Sequence, residues 1–259
     1  MDEFVKAIKE SSNLQYKDSG EILATQEYIL NNSGVFNLSD NLKAVHFSIP
    51  SGMLKGGDLS ETGTLAGSMN AEIRLSVEQS FYIVTNNESV KSVQDSTLYK
   101  SYSCYQNTYF NHQIACAGIK TCSFGVIPNK TDAIEMSDFL AKEVPIKDAK
   151  VRMYWSACVK GCGIHGIADI GFEGCKAKDA NGDTCFGVHI LLGGKATKRA
   201  SEARVLYKSV PLTDAKYIVK RIMKMYKNEK ETNESFEVFY DRKLQDIEDN
   251  ELISKIELY

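Results

Sequence analysis

Apolar residues change their spacing along this chain, and each change marks an expected element. Phe4, Val5 and Ile8 share one helical face, and Ile22, Leu23, Tyr28 and Ile29 follow after a polar stretch. Residues 1–42 are therefore expected as a loosely attached helical arm. From Lys43 the period shortens to two, with Val45, Phe47 and Ile49 alternating with Ala44, His46 and Ser48 until Pro50 ends the strand. Ile73, Leu75 and Val77 alternate again, and 58–66 and 88–98 suit short helices, which gives a small β-α-β-α unit over residues 43–104.

A second block spans residues 105–228. Ile134, Phe139 and Leu140 form a helical stripe within 132–142, and Val151, Met153 and Trp155 alternate as a strand. Residues 167–172 and 186–192 are further strands, joined through a turn in which Asn181-Gly182 supplies positive φ angles. Thr213 is a fair N-cap for a helix whose inner face carries Ile218, Val219, Ile222, Met223 and Tyr226. Residues 229–259 then read as a charged and helical tail, opened by the linker KNEKETNE and continued by Phe236, Phe239 and Tyr240.

Composition narrows the function classes. Thirty-one Lys and Arg against 34 Asp and Glu leave a net charge of −3 over 259 residues, so no global charge draws the protein to nucleic acid or to an anionic membrane. No apolar run approaches the ~20 residues of a bilayer span. The opening MDEFVKAIKESS lacks the apolar core of a leader, and the expected location is cytoplasmic. Seven cysteines, an odd number in a chain large enough to form a core unaided, argue for ligand or redox thiols over a disulfide framework.

Four of those cysteines arrive in two pairs: Cys116 and Cys122 as C-x5-C in ACAGIKTC, and Cys158 and Cys162 as C-x3-C in ACVKGCG. Zinc knuckles suit the second gap but not the first. Iron–sulfur clusters accept more varied gaps, because each thiolate binds its own corner of a cube. Gly118, Gly161 and Gly163 offer the turns whose N–H groups could face such a centre. Spacing alone leaves a cluster, zinc and unpaired buried thiols all open.

The stretch from VRMYWSACVKGCG through IADIGFEGC to the Gly193-Gly194 pair resembles the cluster-binding region of the sirohaem nitrite and sulfite reductases, and IACAGIKTC resembles the segment bearing that family's first cysteine pair. KAVHFSIPSG and AEIRLSVEQS resemble the ferredoxin-like half-domain that precedes it, so the likeness covers roughly residues 43–228. The resemblance implies an α+β protein, a ferredoxin-like half-domain followed by an α/β sirohaem and [4Fe–4S] domain. It implies Cys116, Cys122, Cys158 and Cys162 as cluster ligands, with Cys162 also bridging to the sirohaem iron. It further implies six-electron reduction of nitrite to ammonia or of sulfite to sulfide, with a ferredoxin as donor; the run after Cys162 is closer to the assimilatory nitrite reductases.

The resemblance reaches only the C-terminal half of a family whose members carry two such halves. The Arg and Lys residues that bind the anion come chiefly from the other half. A homodimer or an N-terminal-half partner would complete the site, and a non-catalytic cluster-binding or docking half is the alternative. Within this chain Arg74, Lys160 and Lys195, followed by Lys198 and Arg199, are the candidate anion or sirohaem contacts, although Val159 and Lys160 stand where the family usually has Pro and Asn. His165 is a candidate proton donor, while Cys104, Cys175 and Cys185 are expected as core or turn thiols away from the four ligands.

Overall fold

The computed structural model describes residues 34–103, 106–148, 150–196 and 200–259. Residues 1–33 of the helical arm expected over 1–42, and Cys104, Lys198 and Arg199, lie outside the described residues. Two sheets organise the rest, and the α+β expectation agrees with them.

The first sheet is antiparallel, in the order β1-β2-β4-β3, formed by Val35–Ser39, Leu42–Phe47, Phe81–Asn86 and Glu72–Leu75. Two of these strands go beyond the expected pattern. β1 falls in what reads as the helical arm. β4, FYIVTN, is the central strand, and its buried run has no polar alternation to mark it. β2 likewise departs from polar-out alternation, because Ala44 and His46 are buried on the second face while Val45 and Phe47 are buried on the first. The core beneath is Val45, Phe47, Ile49, Phe81 and Ile83, closed by α1 (Gly56–Ser68), α2 (Val90–Asp95) and α3 (Thr97–Tyr102). The expected helix over 88–98 is thus two short helices, broken where the Ser96 side chain caps Tyr99 N.

The second sheet runs β5-β6-β7-β8-β9, from Gln113–Ala115, Met153–Ser156, Ile170–Lys178, Thr184–Leu192 and Arg204–Pro211. β5, β6 and β7 are parallel, and β8 and β9 return antiparallel. Trp155 and Phe172 stack with ring centroids 3.7 Å apart in its core. Helices α4 (Lys130–Glu143) and α5 (Leu212–Glu229) contribute Met136, Leu140, Val219 and Ile222 to the same core. α5 begins at Leu212, so Thr213 is inside the helix rather than its cap.

The stretch expected as a charged linker and tail is packed. Lys230 pairs with Asp148 at 2.6 Å, and the buried Glu234 takes two Arg242 donors at 2.7 Å each. α6 (Phe236–Lys243) and α7 (Asp249–Glu257) bury Phe236, Phe239, Leu252 and Ile256 in the main core. Arg152, just before β6, ties them in by donating to Asp169, Glu237 and the Gly194 carbonyl. That explains the glycine pair: a Cβ on Gly194 would meet Ala168 O at 2.6 Å, and one on Gly193 would enter the Tyr240 ring.

His46 gives this fold a pH dependence. Burial, then repulsion from His112, pushes its imidazole from 6.5 down to about 4 against the pull of Glu78. The native state therefore refuses a proton that the unfolded chain accepts, and the stabilisation is full above pH 6.5 and lost as the pH falls toward 4. At 1.36 kcal/mol per unit the loss reaches roughly 3 kcal/mol. The His46→Phe protein, which keeps a ring against Tyr82, should show a flatter fall of its urea midpoint over that interval. Parallel curves would refute this.

Candidate metal centre

Parallel pairing carries both cysteine pairs to one end of the second sheet. Ala115 is in register with Trp155, and the ladder continues past the strands through Cys116 N to Trp155 O (3.1 Å) and Val126 N to Ala157 O (3.0 Å). The loop holding Cys116 and Cys122 therefore lies along the loop holding Cys158 and Cys162. Lys160 Nζ sits 4.2 Å from the centre of the Phe124 ring, a second bond between the loops.

Each loop is shaped by glycine where a side chain cannot go. Gly118 turns at φ +77° with its Cα against Pro128, and Thr121 N and Cys122 N both close on its carbonyl. Gly161 turns at φ +72° between the second pair. Gly163 packs so closely that a Cβ would fall 1.9 Å from Trp155 O, and its N–H donates to Ser156 Oγ at 3.0 Å. Ser156 also meets His165 Nδ1 at 2.8 Å, and His165 Nε2 meets Glu173 at 3.0 Å.

Cys116 is the anchored thiol of the four. Its sulfur accepts from Ala157 N at 3.1 Å and from Asn129 Nδ2 at 3.3 Å. Cys162 is exposed, and so are the apolar side chains of Ile119, Phe124, Val159 and Ile164 on the two loops. The sequence reading places all four sulfurs about one volume. The structure lays the loops side by side, but among the described residues no three His, Cys, Asp or Glu side chains are gathered as one metal ion would need. Four thiols on two glycine-turned loops suit a centre that binds each sulfur at a separate corner better than they suit a single ion.

The other predicted residues are dispersed. Arg74 is on β3 in the first sheet, bound to Glu72 at 2.7 Å. Lys195 pairs with Asp241 at 2.6 Å and reaches Gln245 at 3.2 Å. Cys175 and Cys185 are two register steps apart on β7 and β8.

The sequence carried no signal for the contacts that seat the cysteine loops on the first sheet. Gln79 faces the free edge of β5 and replaces a missing strand there, accepting from Ala115 N at 3.0 Å and donating to Ala115 O at 3.1 Å. Beside it the buried Glu78 meets His112 Nδ1 at 3.1 Å and Tyr154 Oη at 3.2 Å. Burial, and then Glu78, raise the Tyr154 phenol well above its ordinary value, so it remains a donor. Ser51 adds a hydrogen bond to Gln113 at 2.7 Å.

Residues 112–242 match the family described as "Nitrite and sulphite reductase 4Fe-4S domain". Chloroplastic ferredoxin–nitrite reductase of Spinacia oleracea is 30% identical over 185 residues, covering 70% of this chain and 31% of that protein. A ferredoxin–nitrite reductase of Synechococcus elongatus is 32% identical over 157 residues, covering 60% of this chain and 30% of that protein. One from Pinus sylvestris is 30% identical over 94 residues, 36% of this chain and 89% of that sequence. The solved structure of Mycobacterium tuberculosis NirA protein superposes with a TM-score of 0.73 at 21% identity, over 85% of this chain and 41% of that one, a likeness of fold. The chain thus spans about a third of the length of the Spinacia oleracea relative.

Replacing Gln79 by Ala would leave the Ala115 N–H and carbonyl without partners, which costs roughly 1–3 kcal/mol. The Gln79→Ala protein should unfold at lower urea by that amount. An unchanged midpoint would show that the amide does not seat β5.

Proposed function

For a chain that belongs to the nitrite and sulphite reductase family, we infer that Cys116, Cys122, Cys158 and Cys162 ligate one [4Fe–4S] cluster and that Cys162 also bridges to sirohaem iron. The observation that carries this reading is the parallel β5–β6 ladder running on into both cysteine loops. The activity of the reading is six-electron reduction of nitrite to ammonia, with electrons from a ferredoxin as in the names of the relatives. Sulfite is the second substrate the family description admits. A bound cluster would supply single electrons, and a bound sirohaem would supply the iron at which the anion is reduced.

The protein's own residues then have distinct tasks. The glycines turn the two cysteine loops, the Ala157 N–H donates to the Cys116 sulfur, and the exposed apolar side chains of Ile119, Phe124, Val159 and Ile164 on those loops would exclude water from a bound macrocycle. Lys160, between the second cysteine pair, is the first candidate for the anion or for a sirohaem carboxylate, with Arg74 and Lys195 behind it. His165, held by contacts to Ser156 and Glu173, is the candidate proton donor of this reading. The location in this reading is cytoplasmic, and among the described residues no helix is long and apolar enough to cross a membrane.

The second reading is a cluster-binding or docking half that does not turn over substrate by itself. It is favoured by the ion pairs that already engage Arg74 and Lys195. Either reading includes a partner, a second copy or an N-terminal-half protein, because among the described residues β3 is an edge strand, with its Leu75 87% exposed and Val77, just after it, 82% exposed.

Iron and sulfide counts on Cys158→Ser protein should fall sharply against the parent, and a full complement in the variant would end the cluster assignment. Light scattering on the purified holo-protein should give a mass above that of one chain. A monomer with full reductase activity would remove the need for a partner and make Lys160 the first mutation to test.

A further inference from the structure

Asn129 is fully buried just before α4, and its backbone stands at φ +68° and ψ −70°. Lys130 N closes on Pro128 O at 3.0 Å around it, a three-residue turn of the strained kind. The Asp132 carboxylate takes its N–H at 2.7 Å. Its side-chain nitrogen lies among three acceptors: Cys116 O at 2.9 Å, Trp155 O at 3.1 Å and Cys116 Sγ at 3.3 Å. Two carbonyl oxygens and a thiol sulfur demand a donor, which fixes the amide with its NH2 toward Cys116.

We propose that Asn129 is a positioning residue that raises the reduction potential of the cluster by donating its amide N–H to Cys116 Sγ, an inference that rests on the ligand assignment above. Reduction adds one electron to the cluster, and part of that charge resides on the thiolate sulfurs. A donor at the sulfur therefore stabilises the reduced form more than the oxidised one. Cys116 Sγ has two such donors. Ala157 N is main chain fixed by the β5–β6 ladder, so the side chain of Asn129 is the one that a substitution can remove. The same amide joins Cys116 O to Trp155 O, the junction at which the two cysteine loops begin, and so holds the sulfur at the distance where the bond acts.

The test is a redox titration, read by electron paramagnetic resonance, of holo-protein whose iron and sulfide have been counted. Asn129→Gly accepts the positive φ and removes the donor. It should keep the parent complement of iron and sulfide, and at the parent midpoint its ratio of reduced to oxidised cluster should fall at least about threefold, a shift of about 30 mV for one electron. Asn129→Asp, which sets a carboxylate against two carbonyls and the sulfur, should move further in the same direction. A full cluster with an unchanged midpoint in Asn129→Gly overturns the proposal, since a purely structural role would lower stability and leave the potential alone. If Asn129→Gly loses its iron, parent protein labelled with nitrogen-15 at asparagine side-chain amides decides instead. Pulsed resonance of the reduced cluster should show a nitrogen-15 coupling, and its absence overturns the proposal. Parent protein without iron and sulfide would sink the ligand assignment and this inference together, whereas an unshifted potential with the cluster intact sinks this one alone.

Discussion

The pairing of β5 with β6 is the constraint on which the rest depends. β5 has only three residues, Gln113–Ala115, and among the described residues it has a neighbouring strand on one side only. Its position is set by the ladder to Trp155, by the Gln79 amide at its open edge and by the Gln113 side chain, which donates to Ala133 O at 2.8 Å. A strand so short is stable because three separate parts of the chain satisfy its polar groups. Loss of that register by one residue would turn Cys116 to the other face of the sheet.

The parts of the fold that could be read from the sequence are those with a long period or a rigid spacing. α4 and α5 carry apolar stripes over three turns or more, and the cysteine gaps with their glycines mark the two loops before any strand is identified. β4 could not be read because four of its six residues are buried, from both faces, with no alternation to mark them, and β5 is too short to have a period. β1 has no fully buried residue, only Val35 and Phe36 being half-buried, so its pattern is too weak to separate it from the arm. The run KNEKETNE looked solvated for a related reason: a sequence shows charges but not the partners, Asp148 and Arg242, that bring them to the surface of the core.

The candidate site divides along the same line. The proposed ligands were legible, because thiols in pairs are rare and carry chemistry by type. The residues that orient them were not. Gln79, Asn129, Ser156 and Glu173 are common polar residues, and their tasks follow from distances of about 3 Å across sequence gaps that no local pattern spans. Arg74 and Lys195 show the converse, since a cation in sequence is available for an anion only if no carboxylate of the protein has taken it first.

The parallel β5–β6–β7 arrangement also sets an order of events during folding. Parallel strands cannot be joined by a tight turn, and the chain from 116 to 152, including α4, must be in place before Ala115 can meet Trp155. The two thiol pairs are therefore apart through most of folding, and the binding free energy of a metal centre can stabilise only the last, closed state. In that interval Cys116, Cys122, Cys158 and Cys162 are open to oxidation and to mispairing with Cys175 or Cys185. Yield of competent protein is then a race between strand closure and thiol oxidation, decided by the reducing power of the surroundings as much as by native stability.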